Sequence, residues 1–409
     1  MNNKLSEISK ILEKYNQTHL LKFFDDLSIN EKEELINQIK EVDFEHINEL
    51  YNETLIKKEI KTSQISPIKY YVKKELDQDY YKSIGEKILK ENKLAVITLA
   101  GGMGSRLGLT SAKGTFEVNI NGKKISLFEA ICNKLKEVNK KYNSIINWYI
   151  MTSPANSELA KDFFKEKNYF GYPQEKIFFF TQNTEYIIDK NGKLMLEDKG
   201  IIKKGSNGNG DVYKSFKENN LNESLKGIDW ISISGIDNIL LDIIDPVFIG
   251  LASEKDYDIS AKSIAKEDLD NDKEWVYAKV DDLPTIINPI YLTKEMKYSK
   301  NENGKYEYNQ FNILSHLYKK EIFIKCEDVS LPYHMAYRKT SYLDENGKKI
   351  EATEPNSFKP EKFIYDAFSY FKNFMLLEVE RDKEFSPIKE KEDVKQAEEL
   401  YEKKLVDND

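Results

Sequence analysis

The sequence predicts an α/β protein with a doubly wound, mixed but mostly parallel sheet, and three observations support this class. Short apolar runs of strand character occur at residues 94–100, 145–152, 177–181 and 230–236. Helical patterns separate these runs: Ser126 and Glu129 have capping-box spacing before an apolar helix face, and Asn156 precedes a second one. A glycine-rich segment directly follows the first run. Strands that alternate with helices build such sheets, and ligands bind beyond the carboxyl ends of their strands.

The segment before the first strand predicts a helical module over residues 1–92. Its apolar residues recur at helical spacing at Leu12, Tyr15, Leu20, Leu21, Phe24, Leu35, Ile36, Ile39, Phe44, Ile47, Leu50 and Tyr51. The pattern changes near residue 93, where the alternation of strands and helices begins. We therefore expect three consecutive segments, residues 1–92, 93–330 and 331–409, and the charged residues from Glu390 onward predict a solvated surface helix.

Composition excludes several classes of protein. The 409 residues carry a net charge of -8, whereas general nucleic-acid or membrane-surface binders normally present a cationic surface. An anionic ligand must therefore meet a local cluster of cations. The two cysteines, Cys132 and Cys326, lack metal-ligand spacing and fit a reducing cytoplasm. Residues 1–22 lack the apolar core of a signal peptide, and no apolar run approaches the roughly 20 residues of a membrane span.

The glycine-rich segment has the composition of an anion-binding loop. Gly101, Gly102 and Gly104 carry no Cβ, so that backbone amides can approach an oxyanion closely. Arg106 adds a planar guanidinium fork, and Lys113 adds a mobile point charge. A strand-to-helix turn with surface cations is the alternative for the glycines alone, and the combination with both cations favours an anion site.

The spacing in this loop excludes two common phosphate-binding motifs. A Walker A loop requires Gly-Lys-Ser/Thr, whereas Lys113 lies between Ala112 and Gly114. A dinucleotide fingerprint that starts at Gly102 requires a glycine where Leu107 stands. The loop therefore belongs to neither motif.

Two later segments have open interpretations from their residues alone. The segment from Ser206 to Asp211 fits a hairpin turn, or a helix start whose amides face an anion or a base. Asp237 follows an apolar strand, where a carboxylate either holds Mg²⁺ or caps the next turn.

The ordered motifs resemble those of the UDP-sugar pyrophosphorylases, and most of all the branch that acts on N-acetylhexosamines. The family signature Leu-Ala-Gly-Gly-x-Gly-Thr-Arg-Leu-Gly, followed by Pro-Lys-Gly, stands here at 99–108 and 112–114, with Ser105 and Ala112 as departures. Further matches are HLLKFF (19–24), WYIMTS (148–153), YFGYPQEKIFFFTQ (169–182), NGNGDVY (207–213), GIDN (235–238), DPVFIG (245–250), NQFNILSH (309–316), EPNSFKPEKFIYDAF (354–368) and EFSPIK (384–389). The resemblance implies a Rossmann-like fold of the nucleotide-diphospho-sugar transferase type, with a small carboxyl-terminal α+β region that closes over the site.

The resemblance also implies a reaction, in which UTP and a hexose 1-phosphate give a UDP-sugar and pyrophosphate with Mg²⁺ as cofactor. The implied catalytic residues are Arg106, Lys113 and Lys359. The implied nucleotide contacts are Leu99, Ala100, Gly101, Gly102, Lys113, Gln182, Gly208, Asp237 and Lys359, with Asp237 also holding the metal. The implied sugar-phosphate contacts are Asn209, Asn288, Asn312 and Lys389. We further expect a cytoplasmic monomer or weak homo-oligomer without nucleic-acid or membrane partners.

The identity of the sugar depends on one position where the sequence departs from the family pattern. N-acetylglucosamine 1-phosphate is expected, but Asn288-Pro289 stands where the family usually has Glu-Tyr, so glucose 1-phosphate or several sugars stay open. His316 and His334 match family positions, and we expect packed, hydrogen-bonded histidines without chemistry. A non-catalytic nucleotide-sugar sensor and an interaction protein acting through the helical module are the remaining alternatives.

Overall fold

The structure is a computed structural model that describes residues 2–56, 61–271 and 273–408. Its α-helices are α1 (Asn2–Lys14), α2 (Ile29–Glu41), α3 (Phe44–Leu55), α4 (Gln78–Lys90), α5 (Leu127–Tyr142), α6 (Ser157–Glu166), α7 (Val212–Glu218), α8 (Pro246–Glu254), α9 (Lys294–Lys297), α10 (Lys320–Cys326), α11 (Arg381–Glu384) and α12 (Val394–Asn408). None of the helices in this described part of the chain combines the length and the apolar composition that a membrane crossing requires.

Within the described residues, eleven of the 22 strands belong to one sheet, and the others form small two- or three-stranded sheets. They are β1 (Ile65–Ser66), β2 (Tyr71–Val72), β3 (Leu94–Leu99), β4 (Glu117–Ile120), β5 (Lys123–Ser126), β6 (Asn147–Thr152), β7 (Ile177–Thr181), β8 (Thr184–Tyr186), β9 (Ile188–Asp189), β10 (Leu196–Asp198), β11 (Ile201–Ile202), β12 (Lys204–Ser206), β13 (Trp230–Gly235), β14 (Ile259–Ala265), β15 (Val276–Val280), β16 (Leu283–Ile287), β17 (Gln310–Lys319), β18 (His334–Arg338), β19 (Tyr342–Leu343), β20 (Lys349–Ile350), β21 (Ser357–Glu361) and β22 (Phe374–Glu378). The four strands that the sequence predicts, β3, β6, β7 and β13, are confirmed: β7 has the predicted ends, and the other three each differ at one end by one or two residues.

The chain forms two compact units, and both are discontinuous in sequence. The first unit contains residues 1–59, 183–210 and 331–363, and the second contains residues 60–182, 211–330 and 364–409. The three consecutive segments expected from the sequence, residues 1–92, 93–330 and 331–409, were assigned from sequence patterns and not by compactness. Their assignment as functional domains stays a prediction.

The first unit has its own apolar core, which the helical pattern of the amino-terminal residues predicts. Leu12, Leu20 and Phe24 are buried together with apolar positions of α2 and α3, and the same cluster includes Ile188 and Ile202. Helix α2 begins with a complete capping box, in which Ser28 and Glu31 exchange side-chain and backbone hydrogen bonds. Residues far apart in sequence therefore complete the core of the helical module.

The second unit contains the main sheet, in the strand order β2-β22-β14-β17-β13-β3-β6-β7. Strand β3 pairs in parallel with β6 on one side and with β13 on the other, and β6 pairs in parallel with β7. Strand β17 is antiparallel to both of its long neighbours, β13 and β14. The sheet is thus mixed and mostly parallel, as predicted. Because the chain runs from β3 outward through β6 and β7 and then returns to β13, the boundary between β3 and β13 is a topological switch point.

The carboxyl-terminal helix α12 is less solvated than its charge pattern predicts. Ala397 and Tyr401 are buried in the large core of the second unit. Next to these two residues, the carboxylates of Glu398 and Glu402 each accept a backbone hydrogen bond of 2.6 Å from the β4–β5 hairpin. The sequence did not predict this packing, because the helix has few apolar residues among many charged ones.

His316 on β17 is packed, as expected, but it is not hydrogen-bonded. Its side chain is fully buried, and neither ring nitrogen has a hydrogen-bond partner among the described residues. The ring instead contacts Phe368 edge-on, at a centroid distance of 5.2 Å. Burial lowers the pKa of His316 to about 3, because the protonated ring would lose its hydration.

This burial predicts a pH-dependent loss of stability. Between about pH 6.5 and pH 3 the unfolded chain holds one proton more than the folded chain, so acidification lowers the free energy of unfolding by about 1.4 kcal/mol per unit. Urea unfolding at pH 7 and pH 4.5 measures the effect. We expect wild type to lose about 3 kcal/mol more than His316→Phe over this interval. Equal losses in the two proteins would contradict the prediction.

Candidate active site

The glycine-rich loop between β3 and β4 is held as a closed structure at the switch point. Lys113 N–H donates to Gly102 O at 3.1 Å, and Gly104 N–H donates to Ser111 O at 3.1 Å. Gly108 adopts a left-handed φ of 81° at the end of the short turn that carries Arg106. The loop therefore returns to its own start, which brings Lys113 back to the end of β3.

Asn156 anchors this loop, and the sequence analysis missed that role. Its side chain is fully buried, and Nδ2 donates to Ala100 O at 2.9 Å and to Gly102 O at 3.0 Å. Its Oδ1 accepts from both N–H and Oγ–H of Ser153. Asn156 precedes α6, as predicted, but its side chain makes no capping hydrogen bond to the helix. An amide side chain in the turn after the neighbouring strand β6 was the available signal.

The start of the loop presents unused hydrogen-bonding groups beside Gln182. Within the described residues, the N–H groups of Gly101 and Gly102 donate no hydrogen bond. Gln182 is only 5% exposed, and its Oε1 has no partner among those residues. A Cβ on Gly101 would lie 2.0 Å from Gln182 Nε2, so this contact requires glycine. Two free amides and a buried acceptor form a surface suited to a polar ligand with an anionic group.

An ion pair connects the glycine-rich loop after β3 to the loop after β13. Gly235 pairs with Leu99, and Ile236 N–H donates to Leu99 O at 3.1 Å. This register places Asp237 opposite the glycine-rich loop, where its Oδ2 lies 3.3 Å from Lys113 Nζ. Both side chains are largely shielded, with 13% exposure for Lys113 and 26% for Asp237. The structure thus brings together two residues that the sequence analysis selected separately.

The segment 384–390 lies along the Asp237 loop. Ile388 N–H donates to Asp237 O at 2.8 Å. The side-chain amide of Asn238 binds the same segment with both of its polar atoms. Its Nδ2 donates to Glu384 O at 2.8 Å, and its Oδ1 accepts from Ser386 N–H at 3.1 Å. These bonds place the backbone of Lys389 next to that of Asp237.

Arg106 is located at the edge of this cluster. Its guanidinium lies 3.5 Å from the Glu390 carboxylate, and both side chains are more than half exposed. Such an exposed pair contributes little to stability, so Arg106 is able to exchange Glu390 for a stronger anion.

Asn312 lies on β17 where this strand is distorted. The pairing of β17 with β14 shifts register between Ala261 and Ser263, and Leu314 has a positive φ of 55°. Asn312 Oδ1 accepts from Tyr277 Oη and from Leu314 N–H, each at 3.0 Å. A Cβ on Gly235 would lie 2.9 Å from the Leu314 side chain, so the distortion adjoins the end of β13. Strained backbone of this kind occurs at functional sites.

Asn288 occupies a different environment. It follows β16, and its Oδ1 accepts from Ile290 N–H at 3.0 Å as a cap of the next short turn. Within the described residues, Asn288 makes no hydrogen bond to Lys113 or Asp237. Its predicted contact with the sugar phosphate stays a prediction.

The first unit contains the other predicted residues, Gly208, Asn209 and Lys359. Lys359 Nζ donates to Ser206 Oγ and to Glu361 Oε1, each at 2.9 Å. Gly208 has a φ of 84°, and a Cβ there would lie 2.3 Å from Lys362 O. Asn209 begins a 3-10 turn that leads directly into α7, so the hairpin alternative for this segment is wrong. The unit therefore gathers these three residues around one loop.

The donor set at Asp237 fits a metal that is bound largely by its substrate. The described residues contain no group of three or more acidic, histidine or cysteine side chains that could hold a metal ion. Mg²⁺ in nucleotide enzymes is commonly bound by one or two carboxylates together with substrate phosphates. A single shielded carboxylate beside Lys113 is compatible with that mode.

The substitution Gly102→Ala tests whether position 102 needs glycine for the fold or for the binding of a ligand. A Cβ at this position meets no protein atom within 4 Å, and the backbone φ is not positive. We therefore expect the free energy of unfolding to stay equal or to rise by up to about 1 kcal/mol. A methyl group that blocks one amide–phosphate bond should raise KM for UTP, the nucleotide that the motif resemblance implies, on the order of 10-fold. Urea unfolding and UTP saturation kinetics measure the two effects, and an unchanged KM would contradict a ligand at this amide.

The fold and this site define a doubly wound α/β protein with a glycine-rich loop and a Lys113–Asp237 ion pair at the switch point of its sheet. A family model described as UTP–glucose-1-phosphate uridylyltransferase matches residues 42–404, and the chain belongs to this family. The resemblance inferred from the motifs is thereby confirmed. The chain is a nucleotidyltransferase that produces a UDP-sugar.

Relatives from several organisms carry more specific names. The chain is 31% identical to a probable UDP-N-acetylglucosamine pyrophosphorylase of Dictyostelium discoideum, over 91% of this chain and 81% of that protein. It is 38% identical to a probable UDP-N-acetylglucosamine pyrophosphorylase of Encephalitozoon cuniculi, over 76% of this chain and 84% of that protein. The crystal structure of the Trypanosoma brucei UDP-N-acetylglucosamine pyrophosphorylase with an inhibitor is similar at a TM-score of 0.77 and 25% identity, covering 98% of this chain and 84% of that one.

Proposed function

We propose that this protein transfers a uridylyl group from UTP to N-acetylglucosamine 1-phosphate, releasing pyrophosphate. The observation that carries the proposal is the pairing of Lys113 with Asp237 at 3.3 Å, directly beside the unused amides of Gly101 and Gly102. A shielded cation, free amides and a carboxylate at a switch point match the needs of a nucleoside triphosphate with its metal.

The chemistry explains why no activated nucleophile is needed. A phosphate oxygen of the sugar 1-phosphate is already anionic at neutral pH, and it attacks the α-phosphorus of UTP in line while pyrophosphate leaves. The protein must align two anions that repel each other and stabilise the charge that develops on the phosphoryl group. Lys113 and Arg106 supply positive charge at the loop, and Lys389 is the corresponding candidate for the sugar phosphate.

The nucleotide base is assigned to the start of the loop. Gln182 has a buried Oε1 without a partner among the described residues, which suits it to accept a hydrogen bond from the uracil ring. Gly101 allows the close approach of this side chain, and Leu99 and Ala100 are the expected backbone neighbours of the base.

Magnesium is the proposed cofactor. Asp237 would hold it together with the triphosphate, and when bound the ion neutralises phosphate charge. Full activity in an excess of chelator would contradict this part of the proposal.

The sugar is proposed from the relatives, whose names specify N-acetylglucosamine. Asn288 favours a second candidate, a uridylyltransferase that uses glucose 1-phosphate or several sugars. Its neutral side chain is engaged with Ile290 N–H, where the family usually provides a carboxylate for sugar hydroxyls. The family description, which names glucose 1-phosphate, is compatible with both candidates.

A pyrophosphate-release assay with UTP and four sugar 1-phosphates tests the proposal. We expect kcat/KM to be highest for N-acetylglucosamine 1-phosphate among the glucose, galactose, N-acetylglucosamine and N-acetylgalactosamine compounds. A clear preference for glucose 1-phosphate would favour the second candidate. No turnover with any sugar, despite UTP binding, would favour the non-catalytic sensor. We also place the reaction in the cytoplasm, in keeping with two buried cysteines that form no disulfide.

A further inference from the structure

Lys262 of β14 is a fully buried lysine that the mechanism above does not use. Its Nζ lies 2.9 and 2.8 Å from the two carboxylate oxygens of Glu384. It also lies 2.9 Å from Asp245 Oδ2 and 3.1 Å from Asp242 O. Charged side chains are almost never fully buried unless they are paired, so this arrangement needs a reason.

The cluster around Lys262 is balanced in charge. Lys73 lies 2.7 Å from Asp245 Oδ2 and 3.6 Å from Glu384 Oε1, which gives two cations and two carboxylates in mutual contact. Burial alone would lower the pKa of Lys262, but the carboxylates of Asp245 and Glu384 outweigh it and raise that pKa. Burial alone would raise the pKa of Asp245, but Lys262 and Lys73 outweigh it and hold that pKa well below its usual value. Lys262 and Asp245 are therefore both charged at neutral pH.

Glu384 connects this cluster to the active site. It is the last residue of α11, and the backbone continues directly into the segment 385–389. Glu384 Oε2 accepts from Asp242 N–H at 3.0 Å, and its carbonyl oxygen accepts from Asn238 Nδ2 at 2.8 Å. Both partners belong to the loop that begins with Asp237, whose carbonyl oxygen accepts from Ile388 N–H. The ion cluster therefore holds the start of the segment, and the Asp237 loop holds its end.

We propose that Lys262 and Glu384 are positioning residues, whose buried ion pair fixes the segment that presents Lys389 to the sugar phosphate. This inference rests on the proposed function, because it concerns how one substrate of that reaction is held. A hydrophobic pair of similar volume would fill the same space. In contrast, both carboxylate oxygens of Glu384 bond to Lys262 Nζ, which Asp245 and Asp242 also hold, and this arrangement defines one orientation of the segment. Orientation matters here because a displacement of about 1 Å at a reacting group can lower a rate on the order of 100-fold.

A double-mutant cycle between Lys262 and Lys389 distinguishes positioning from simple stabilisation. Lys389→Ala should raise KM for the sugar 1-phosphate about 10-fold or more, with a smaller change in KM for UTP. Lys262→Met should reproduce that selective change. The double variant should be no worse than Lys389→Ala alone, because a misplaced lysine and an absent lysine lose the same contact. Additive losses, or equal changes in both KM values, would overturn the proposal.

Two controls keep the experiment informative if Lys262→Met is unstable. Lys203→Met removes another shielded lysine, which lies 2.5 Å from Glu197 and bonds to Ser341, and it should leave both KM values unchanged. Glu384→Gln keeps the size of the side chain but removes its charge, and it should give the same selective increase as Lys262→Met in a folded protein.

Hydrogen exchange gives a readout that does not depend on activity. Peptides covering residues 384–389 should exchange faster in Lys262→Met than in wild type and in Lys203→Met. Unchanged exchange in a folded Lys262→Met protein would overturn the proposal even if turnover fell. If wild type itself forms no UDP-sugar, the proposed function fails, whereas wild-type turnover without coupling between positions 262 and 389 refutes only this inference.

Discussion

Lys113→Ala should lower kcat/KM for UTP by about 100-fold or more while the protein stays folded. Two unit charges about 4 Å apart interact by about 4 kcal/mol at an effective dielectric of 20, and about 2.7 kcal/mol lost selectively from the transition state corresponds to 100-fold. Lys113 has only 13% exposure, so its attraction to phosphate is weakly screened. Steady-state kinetics at saturating sugar 1-phosphate measure the effect.

Stability should change little in the same variant. Asp237 keeps 26% exposure, so water can hydrate its carboxylate when the lysine is removed. Replacing the ion pair with water around Asp237 should lower the free energy of unfolding by about 1 kcal/mol or less. Lys124→Ala is the matched control, because Lys124 lies exposed on the nearby β5 strand and should have no kinetic effect. Near-wild-type turnover of folded Lys113→Ala would refute its role.

The sheet and the loop were predictable because their signals are local. A short apolar run such as residues 94–100 indicates a buried strand. The glycines that follow it indicate a loop whose backbone a ligand can approach closely. The alternation of strands and helices then placed the loop at strand ends, where the structure has it. The contact of Lys113 with Asp237 follows from the parallel register of β3 with β13, which the sequence analysis did not assign.

The parts that were not predicted depend on pairings between distant residues. Lys262 reads as an ordinary lysine until Glu384, 122 residues later, is placed beside it. Asn156 was expected only to precede a helix, and only the fold shows that its amide reaches the carbonyl groups of Ala100 and Gly102. The antiparallel strand β17 between β13 and β14 likewise has no local signal, because its direction is set by its neighbours. Chemistry carried by pairs of this kind is not visible in a single sequence.

Asp237→Asn should lower kcat/KM on the order of 100-fold to 1000-fold and raise the Mg²⁺ concentration needed for half-maximal rate. The amide has nearly the same shape as the carboxylate but lacks its charge, so packing beside Gly235 and the backbone bond from Ile388 are retained. Rates measured across a Mg²⁺ titration at fixed UTP test both effects. Asp162→Asn, an exposed carboxylate on α6 with 70% exposure, is the matched control and should leave the titration unchanged.

The titration also decides what the carboxylate is for. If Asp237 served only to orient Lys113, then Asp237→Asn would act through the lysine alone. The double variant with Lys113→Ala would then be no slower than Lys113→Ala, and the Mg²⁺ midpoint would stay at its wild-type value. If the carboxylate holds the metal, the double variant should be slower than either single variant, and the midpoint should shift in both backgrounds that lack Asp237.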